Sequence, residues 1–445
     1  MKTVIMAGGK GTRISSVASD IPKPMIKIEG KPILEHEIEC LRDQGFTDII
    51  ITVSHLGNII MDYFRDGSFT SPITGKPFGV HIEYYEENVP LGNAGALFKI
   101  KDKLKDDFLL LNADAMFDVD FNRFVEFHRE HNGLVTLFTH PNSHPYDSGL
   151  IIAYKDGSVE KWLAKEDEWP EFYKNQVNAG LHVISPKVLD LVDVAPETIG
   201  CMGKDGKVIK VDLDRQILKP LAGTGKMFCY DSPEYVKDMG TPERYYSVCS
   251  DFKHGIVQAK NLKNKQNVVF LDRDGTINKY VGFLRNLEDF ELINGVAEAI
   301  RRINESGYLA IVVTNQPVIA RGEVMVKELE EIHKKMETLL GAEGAYLDAI
   351  YYCPHHPHKG YEGEVPELKI DCNCRKPKPG MLLKAAEDFN INLSQSWMIG
   401  DGECDVKAGK AAGCKTALIG HEDFGQDVTV ESLLNWCERF IKKIR

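Results

Sequence analysis

The stretch Val268-Val269-Phe270-Leu271-Asp272-Arg273-Asp274-Gly275-Thr276 decides how the second half of this chain is read. Four apolar residues run unbroken and give way at once to an acidic turn that contains glycine. An unbroken apolar run marks a strand buried on both faces, as in a parallel sheet, and the carboxyl end of such a strand is where α/β folds keep their ligand sites. The N-terminus repeats the grammar: Thr3-Val4-Ile5-Met6 is followed by Ala7-Gly8-Gly9. Two opening strands of this kind predict two sheets.

Working outward, each strand is followed by alternating helical and strand patterns. After the first come helical stretches at 33–44, 58–64 and 94–104, and strands at 48–53, 80–85 and 108–112. After the second come helices at 296–306, 326–340 and 381–389, and strands at 309–314, 349–352, 397–399 and 416–419. That alternation predicts an α/β chain of two doubly wound domains. A length of 445 residues, too long for one ordinary core, agrees with two. The expected boundaries are a first domain at 1–246, a linker at 247–266 with a polar, unpatterned end from Lys260 to Gln266, and a second domain at 267–445.

Composition narrows the function classes. A net charge of −12 argues against broad nucleic-acid binding, and no apolar run reaches the length of a membrane span. The start, Met1 to Arg13, lacks the long apolar stretch of a signal peptide, so a cytoplasmic location is expected. Small-molecule substrates are the expected partners, with self-association left open. Of ten cysteines, seven are scattered and expected to be inert, buried thiols: Cys40, Cys201, Cys229, Cys249, Cys404, Cys414 and Cys437.

The turn Ala7-Gly8-Gly9-Lys10-Gly11-Thr12-Arg13 lets backbone N–H groups approach an anion, and Arg13 adds a fork suited to phosphate oxygens. Pro22-Lys23-Pro24 follows, two prolines stiffening the backbone around one lysine. The order continues through Gly30-Lys31-Pro32, Pro90-Leu91-Gly92-Asn93-Ala94-Gly95, Leu111-Asn112-Ala113-Asp114, Asn178-Ala179-Gly180 and Lys237-Asp238-Met239-Gly240. This set resembles the sugar-1-phosphate nucleotidyltransferases, which have a Rossmann-like fold. The resemblance implies that a sugar-1-phosphate oxygen attacks the α-phosphorus of a nucleoside triphosphate and pyrophosphate leaves. It assigns Ala7, Gly8, Gly9, Gly11, Thr12, Arg13, Lys23 and Gly92 to the nucleotide, with Arg13 and Lys23 taking phosphate charge in catalysis. Asp114 and Asp238 are implied magnesium ligands, and Lys165, Asn178 and Gly180 implied sugar-phosphate contacts. Ala113 stands where many relatives have glycine, and Asn93 lies at a variable spot of the base loop.

In the second half, Asp272 and Asp274 suit phosphoryl transfer: the first attacks phosphorus, the second protonates the leaving oxygen and later activates water. Thr314-Asn315-Gln316, Arg375-Lys376-Pro377-Lys378-Pro379-Gly380-Met381 and Gly400-Asp401-Gly402-Glu403-Cys404-Asp405 follow in order. Between them lie Cys353-Pro354-His355-His356-Pro357-His358 and Cys372-Asn373-Cys374. Cys-x-His with Cys-x-Cys supplies four soft or borderline ligands, Cys353, His355, Cys372 and Cys374, as a closed structural zinc site requires. His356 and His358 are expected to face solvent or support the loop. Together these motifs resemble the heptose-1,7-bisphosphate 7-phosphatases of the haloacid dehalogenase superfamily, with histidinol-phosphate phosphatases as near relatives. The resemblance implies a haloacid dehalogenase-like fold with a zinc-stapled loop. It implies magnesium held by Asp272, Asp401 and the backbone carbonyl of Asp274, and phosphate bound by Thr314, Asn315, Arg375 and Lys376. Pro317-Val318 replaces the usual Ser-Gly, and Gly402 replaces a frequent lysine.

A phosphatase that makes a sugar 1-phosphate, joined to a transferase that consumes one, predicts consecutive steps. The first head is similar to the heptose- and mannose-1-phosphate guanylyltransferase branch, which favours a GDP-heptose product. Another base or sugar, a histidinol-phosphate activity, or one non-catalytic regulatory head are the alternatives at this point.

Overall fold

The structure is a computed structural model and describes residues 1–9, 14 and 20–441. The chain divides into two compact units. The first holds Met1–Thr139, Gly149–Ala164 and Asn178–Gln258; the second holds His140–Ser148, Lys165–Val177 and Ala259–Arg445.

In the first unit, strands β1 (Thr3–Met6), β2 (Asp48–Val53), β3 (His81–Glu86) and β4 (Phe108–Asn112) form the parallel part of a nine-stranded sheet, in the order β4-β1-β2-β3. Helices α1 (Ile33–Arg42), α2 (Gly57–Phe64) and α3 (Gly95–Lys99) connect them. Alternate residues of each strand enter opposite cores. Ile5, Ile51 and Leu111 pack on one side, and Val4, Ile50 and Leu110 on the other. Both faces are therefore apolar, which is why the sequence reads as unbroken runs. Beyond β4 the sheet turns antiparallel: β4 pairs with Val177–Ile184, which leads to the hairpin Leu150–Ala153 and Val159–Leu163. A separate two-stranded ribbon joins β5 (Ala115–Asp118) to β6 (Tyr235–Asp238), with Asp238 opposite Ala115. The third helical stretch is shorter than the sequence pattern predicts: α3 stops at Lys99, and a 3₁₀ turn covers Lys101–Lys103.

In the second unit, β7 (Val268–Leu271) is flanked by β8 (Leu309–Asn315) and β9 (Trp397–Gly400) within an all-parallel six-stranded sheet. Val269 and Leu271 face one core, Val268 and Phe270 the other. Helix α4 (Val326–Ala342) follows β8, and α5 (Glu403–Ala412) follows β9. The stretch read as a linker is structured. Helices cover Pro242–Lys253 and Ile256–Ala259, and Lys260, Asn261, Leu262 and Gln266 are buried. Its polar side chains turn inward to satisfy backbone groups: Gln266 Nε2 donates to the carbonyls of Asn261 at 2.8 Å and Asn264 at 3.0 Å. Among the described residues, no helix is long and apolar enough to cross a membrane.

Two candidate active sites

The first site lies at the carboxyl ends of β1 and β4. Ala7 N donates to Thr52 O, and Ala113 N to Met6 O, so the glycine turn and the Asp114 loop leave adjacent strands side by side. An open cleft of about 520 Å³ is lined by Ala7, Gly8, Gly9, Lys23, Gly92 and Asp114, among others. Gly11, Thr12 and Arg13 lie outside the described residues. Gly92 has φ +86°, and a Cβ there would stand 2.3 Å from Val211 O, so only glycine allows this approach. Asn93 ties the same loop down, its Oδ1 accepting from Leu213 N at 2.7 Å.

Lys23 is held by a 3₁₀ turn between its prolines, and its Nζ lies 2.7 Å from Asp114 Oδ2. Asp238 sits beside Asp114 because β6 pairs with β5, and Met239 N donates to Asp114 O at 3.1 Å. Arg244 Nη1 reaches both oxygens of Asp238, at 3.0 and 2.8 Å. Burial pushes the Asp238 carboxyl up, but Gly240 N–H and Arg244 outweigh it and hold the group below its usual range. The two carboxylates fit a divalent cation. Asp114 lines the cleft and is half-exposed, Asp238 stands beside it across the ribbon, and each faces a side-chain cation, Lys23 or Arg244. Arg244 and Lys210, the latter also in the cleft lining, escaped the sequence reading. A lone basic residue after a motif carries no pattern of its own.

The implied sugar-phosphate residues are divided. Asn178 and Gly180 belong to the first unit, where Asn178 Oδ1 accepts from Gly180 N at 3.3 Å and lies 3.2 Å from His182 Nε2. Lys165 belongs to the second, its Nζ bonded to Asp147 Oδ1 at 2.7 Å.

The second site lies at the carboxyl ends of β7, β8 and β9. Asp272 N donates to Ile399 O at 2.9 Å, which sets the Asp272 turn against the Asp401 loop. Gly275 makes that meeting possible: at φ +81°, a Cβ would lie 2.0 Å from Asp401 Oδ2. Carboxylate oxygens of Asp272, Asp401 and Asp405 gather within 4.8 Å of one another. Lys376 Nζ, almost fully buried, lies 2.8 Å from Asp272 Oδ1 and 2.5 Å from Asp405 Oδ1. Burial lowers the lysine's pKa, but the two carboxylates more than reverse this and keep it charged. Burial raises Asp401 to about 6, with Asp272 adding to the rise. Asp272 and Asp401, both raised by burial and by neighbouring carboxylates, are groups that a divalent cation relieves, so the site fits one.

Asp405 was missed as a functional residue although it stood in the quoted motif. It is four residues beyond Asp401, in the first turn of α5, and anchors Lys376 while its Oδ2 accepts from Gly402 N at 3.1 Å. Asn315 spends both ends of its amide on the backbone of Lys376, at 3.0 Å each, and so holds that loop. Thr314 Oγ1 accepts from Gln316 Nε2 at 3.0 Å, and Arg375 Nη1 donates to His355 O at 3.3 Å.

Beyond β8's neighbour Ala349–Cys353, four donors converge. Cys374 Sγ lies 3.3 Å from Cys353 Sγ, 3.2 Å from Cys372 Sγ and 3.2 Å from His355 Nδ1. Cys353 Sγ is 3.5 Å from Cys372 Sγ and 3.6 Å from His355 Nδ1. These separations are too long for disulfides and near the roughly 3.8 Å sulfur–sulfur edge of a tetrahedron with zinc–sulfur bonds of about 2.3 Å. The donor set thus fits a four-coordinate metal. His356 is buried and supports the loop, its ring against His358 and Tyr361; His358 is exposed. Of the scattered cysteines, Cys229, Cys414 and Cys437 are buried, whereas Cys201 is exposed. It sits on a surface turn, its Sγ donating to Glu197 O at 3.5 Å.

A cleft lined by the start of a glycine turn, a lysine and an aspartate, and a buried Asp–Lys pair at the carboxyl end of a parallel strand, define an enzyme with two sites: a nucleotidyltransferase and a haloacid dehalogenase-type phosphatase. The chain belongs to the nucleotidyl transferase family, whose model matches residues 2–253, and to the D-glycero-β-D-manno-heptose-1,7-bisphosphate 7-phosphatases, being 41% identical over 164 residues to the Salmonella typhi protein of that name, 84% of which is covered. That match takes in 37% of this chain. A HAD-hydrolase-like model also matches residues 373–431. A protein named probable mannose-1-phosphate guanylyltransferase 2, from Oryza sativa subsp. japonica, is 28% identical over 250 residues, covering 55% of this chain and 63% of that protein. The crystal structure of HddC from Yersinia pseudotuberculosis superposes with a TM-score of 0.45 at 26% identity, over 56% of this chain and 99% of that one. The chain is a bifunctional transferase and phosphatase.

Proposed function

We propose that the chain performs two consecutive steps of nucleotide-activated heptose synthesis. The second unit removes the 7-phosphate from D-glycero-D-manno-heptose 1,7-bisphosphate. The first transfers GMP from GTP to the resulting heptose 1-phosphate and releases pyrophosphate. What carries this reading is the pairing itself: a phosphatase of the heptose bisphosphate family shares one chain with a sugar-1-phosphate transferase, and the product of one is the substrate class of the other.

Asp272 attacks the 7-phosphorus and forms an aspartyl-phosphate, with Lys376 neutralising both nucleophile and phosphate and Thr314, Asn315 and Arg375 shaping the phosphate site. Asp274 protonates the sugar oxygen, then takes a proton from the attacking water. Asp272, Asp401 and the carbonyl of Asp274 would hold magnesium, which supplies charge to the phosphoryl oxygens when bound. In the transferase, Lys23 exchanges Asp114 for phosphate oxygens, beside Arg13 and the N–H groups from Ala7 to Thr12. Asp114 and Asp238 would hold the second magnesium. Gly92 lets the base loop close on the nucleotide, and Asn178 and Gly180 contact the sugar phosphate. Cys353, His355, Cys372 and Cys374 would hold a structural zinc. A cytoplasmic enzyme acting on small molecules fits this role, with the working division at 1–246 and 267–445.

The experiment is to incubate the protein with heptose 1,7-bisphosphate, magnesium and each nucleoside triphosphate in turn, and to weigh the products. GDP-heptose with one inorganic phosphate and one pyrophosphate is expected. A bisphosphate left intact with every triphosphate contradicts the reading.

A further inference from the structure

Asp274 is bonded more heavily than its place in a turn requires. Arg273 Nη2 donates to its Oδ1 at 3.0 Å and its Oδ2 at 2.8 Å, and Arg273 Nε to Oδ1 at 3.2 Å. Asn278 Nδ2 donates to Oδ1 at 3.0 Å, and Gln316 Nε2 to Oδ2 at 2.9 Å. The Arg273 side chain is wholly buried, at 0% exposure. A buried guanidinium is costly unless its N–H groups find partners. Two groups besides Asp274 meet it: Gln316 Oε1 accepts from Nη2 at 3.1 Å, and His333 Nε2, on α4, lies 3.3 Å from Nη1. Facing a permanent cation that only donates, that ring nitrogen is an acceptor, which fixes the histidine tautomer.

We propose that Arg273, His333 and Gln316 form a latch that positions Asp274 for proton transfer and receives the negative charge that builds on it. The proposal rests on the reading of Asp274 as the phosphatase acid. When an Asp272 oxygen bonds to phosphorus, the bond from phosphorus to the sugar oxygen breaks. Its electron pair stays on that oxygen, which takes the proton from Asp274. Asp274 is left as a carboxylate against the guanidinium fork. In the second half, a water oxygen bonds to phosphorus, the Asp272–phosphorus bond returns its electrons to Asp272, and the water proton goes to Asp274. Arg273 neither gives nor takes a proton, so it acts by charge and geometry. His333 holds the far side of the fork and keeps it from turning away. All three are positioning residues, since each acts through Asp274.

A sugar alkoxide leaves only with a proton, whereas p-nitrophenolate leaves without one, so a fault in proton delivery separates the two substrates at leaving-group release; the water step that follows is common to both. The test measures KM and, in single turnovers, the rate of leaving-group release for full-length His333→Leu, His333→Gln and Asp274→Asn on a sugar phosphate and on p-nitrophenyl phosphate. His333→Leu should lower the rate of sugar release about tenfold or more, part of the roughly hundredfold to ten-thousandfold worth of a whole proton transfer, while p-nitrophenolate release changes by less than about threefold. KM should stay near the parent value on both. His333→Gln, which returns an acceptor to Arg273, should recover most of the loss. If His333→Leu does not fold, Arg273→Lys, which keeps the charge but not the fork, should show the same split between substrates. Equal losses on both substrates, or no loss on either, overturn the latch. An Asp274→Asn variant that treats both substrates alike overturns the acid reading, and the latch with it.

Discussion

Lys23 and Lys376 are both lysines bonded to an aspartate at the end of a parallel strand, yet only one pair is sealed from water. Lys376 has 1% of its side chain exposed, and its partners Asp272 and Asp405 have 13% and 1%. Lys23 is 9% exposed, but its partner Asp114 is 45% exposed. An open pair contributes about 0–1 kcal/mol and changes partners easily. Breaking a buried one costs about 3–5 kcal/mol, because a charge is left alone in a poor solvent. The phosphatase site is thus built before substrate arrives, around a lysine that cannot leave. The Lys23–Asp114 pair lies open to water on the aspartate side and, in the proposed reaction, its lysine moves from aspartate to phosphate.

The largest effect that sharpens this contrast is at Asp272, the proposed phosphatase nucleophile. Asp272→Asn keeps the shape and removes the attacking oxygen, so phosphate release should fall by about a thousandfold or more. Transfer to supplied heptose 1-phosphate should keep the parent rate, and a phosphate assay beside a pyrophosphate assay checks both. Next is Lys376→Met. It should abolish phosphate release and also destabilise the second unit by about 3–5 kcal/mol, since Asp272 and Asp405 lose their shared cation; denaturant unfolding reads this. Lys23→Ala should cost about 2–4 kcal/mol of transition-state stabilisation in nucleotidyl transfer, measured as kcat/KM. It should cost less than about 1 kcal/mol of stability. A large stability loss there would break the contrast between the two lysines. The smallest expected effect is on the four-donor cluster: Cys372→Ser should reduce bound zinc by metal analysis and lower the unfolding midpoint of the second unit by about 5 °C, leaving transfer near the parent rate.

The sheets were legible because burial on both faces writes an unbroken apolar run, and Val268–Leu271 and Asp48–Val53 carry it. The antiparallel half of the first sheet was not, because Leu150–Ala153 and Val159–Leu163 are short and joined by a hairpin rather than a helix. The end of the linker misled for the opposite reason. Lys260, Asn261 and Gln266 are polar yet buried, Asn261 and Gln266 bonded to backbone groups and Lys260 to the Tyr346 hydroxyl, partners that composition cannot reveal. At the sites, the ordered motifs named residues that the structure brings together, Lys23 with Asp114 and Asp272 with Lys376, while Asp405, Arg244, Arg273 and His333 were not assigned roles. Their part comes from what they touch: Asp405 through Lys376, Arg244 through Asp238, His333 through Arg273. Such contacts span up to 60 positions in the chain, and no local spacing encodes them.

The central claim is that the two sites act in sequence, phosphatase first. The most direct test gives Asp272→Asn either heptose 1,7-bisphosphate or heptose 1-phosphate, with GTP and magnesium, and identifies the nucleotide product by mass. The account predicts GDP-heptose from the 1-phosphate and no nucleotide sugar from the bisphosphate. A nucleotide sugar still carrying the 7-phosphate would contradict it.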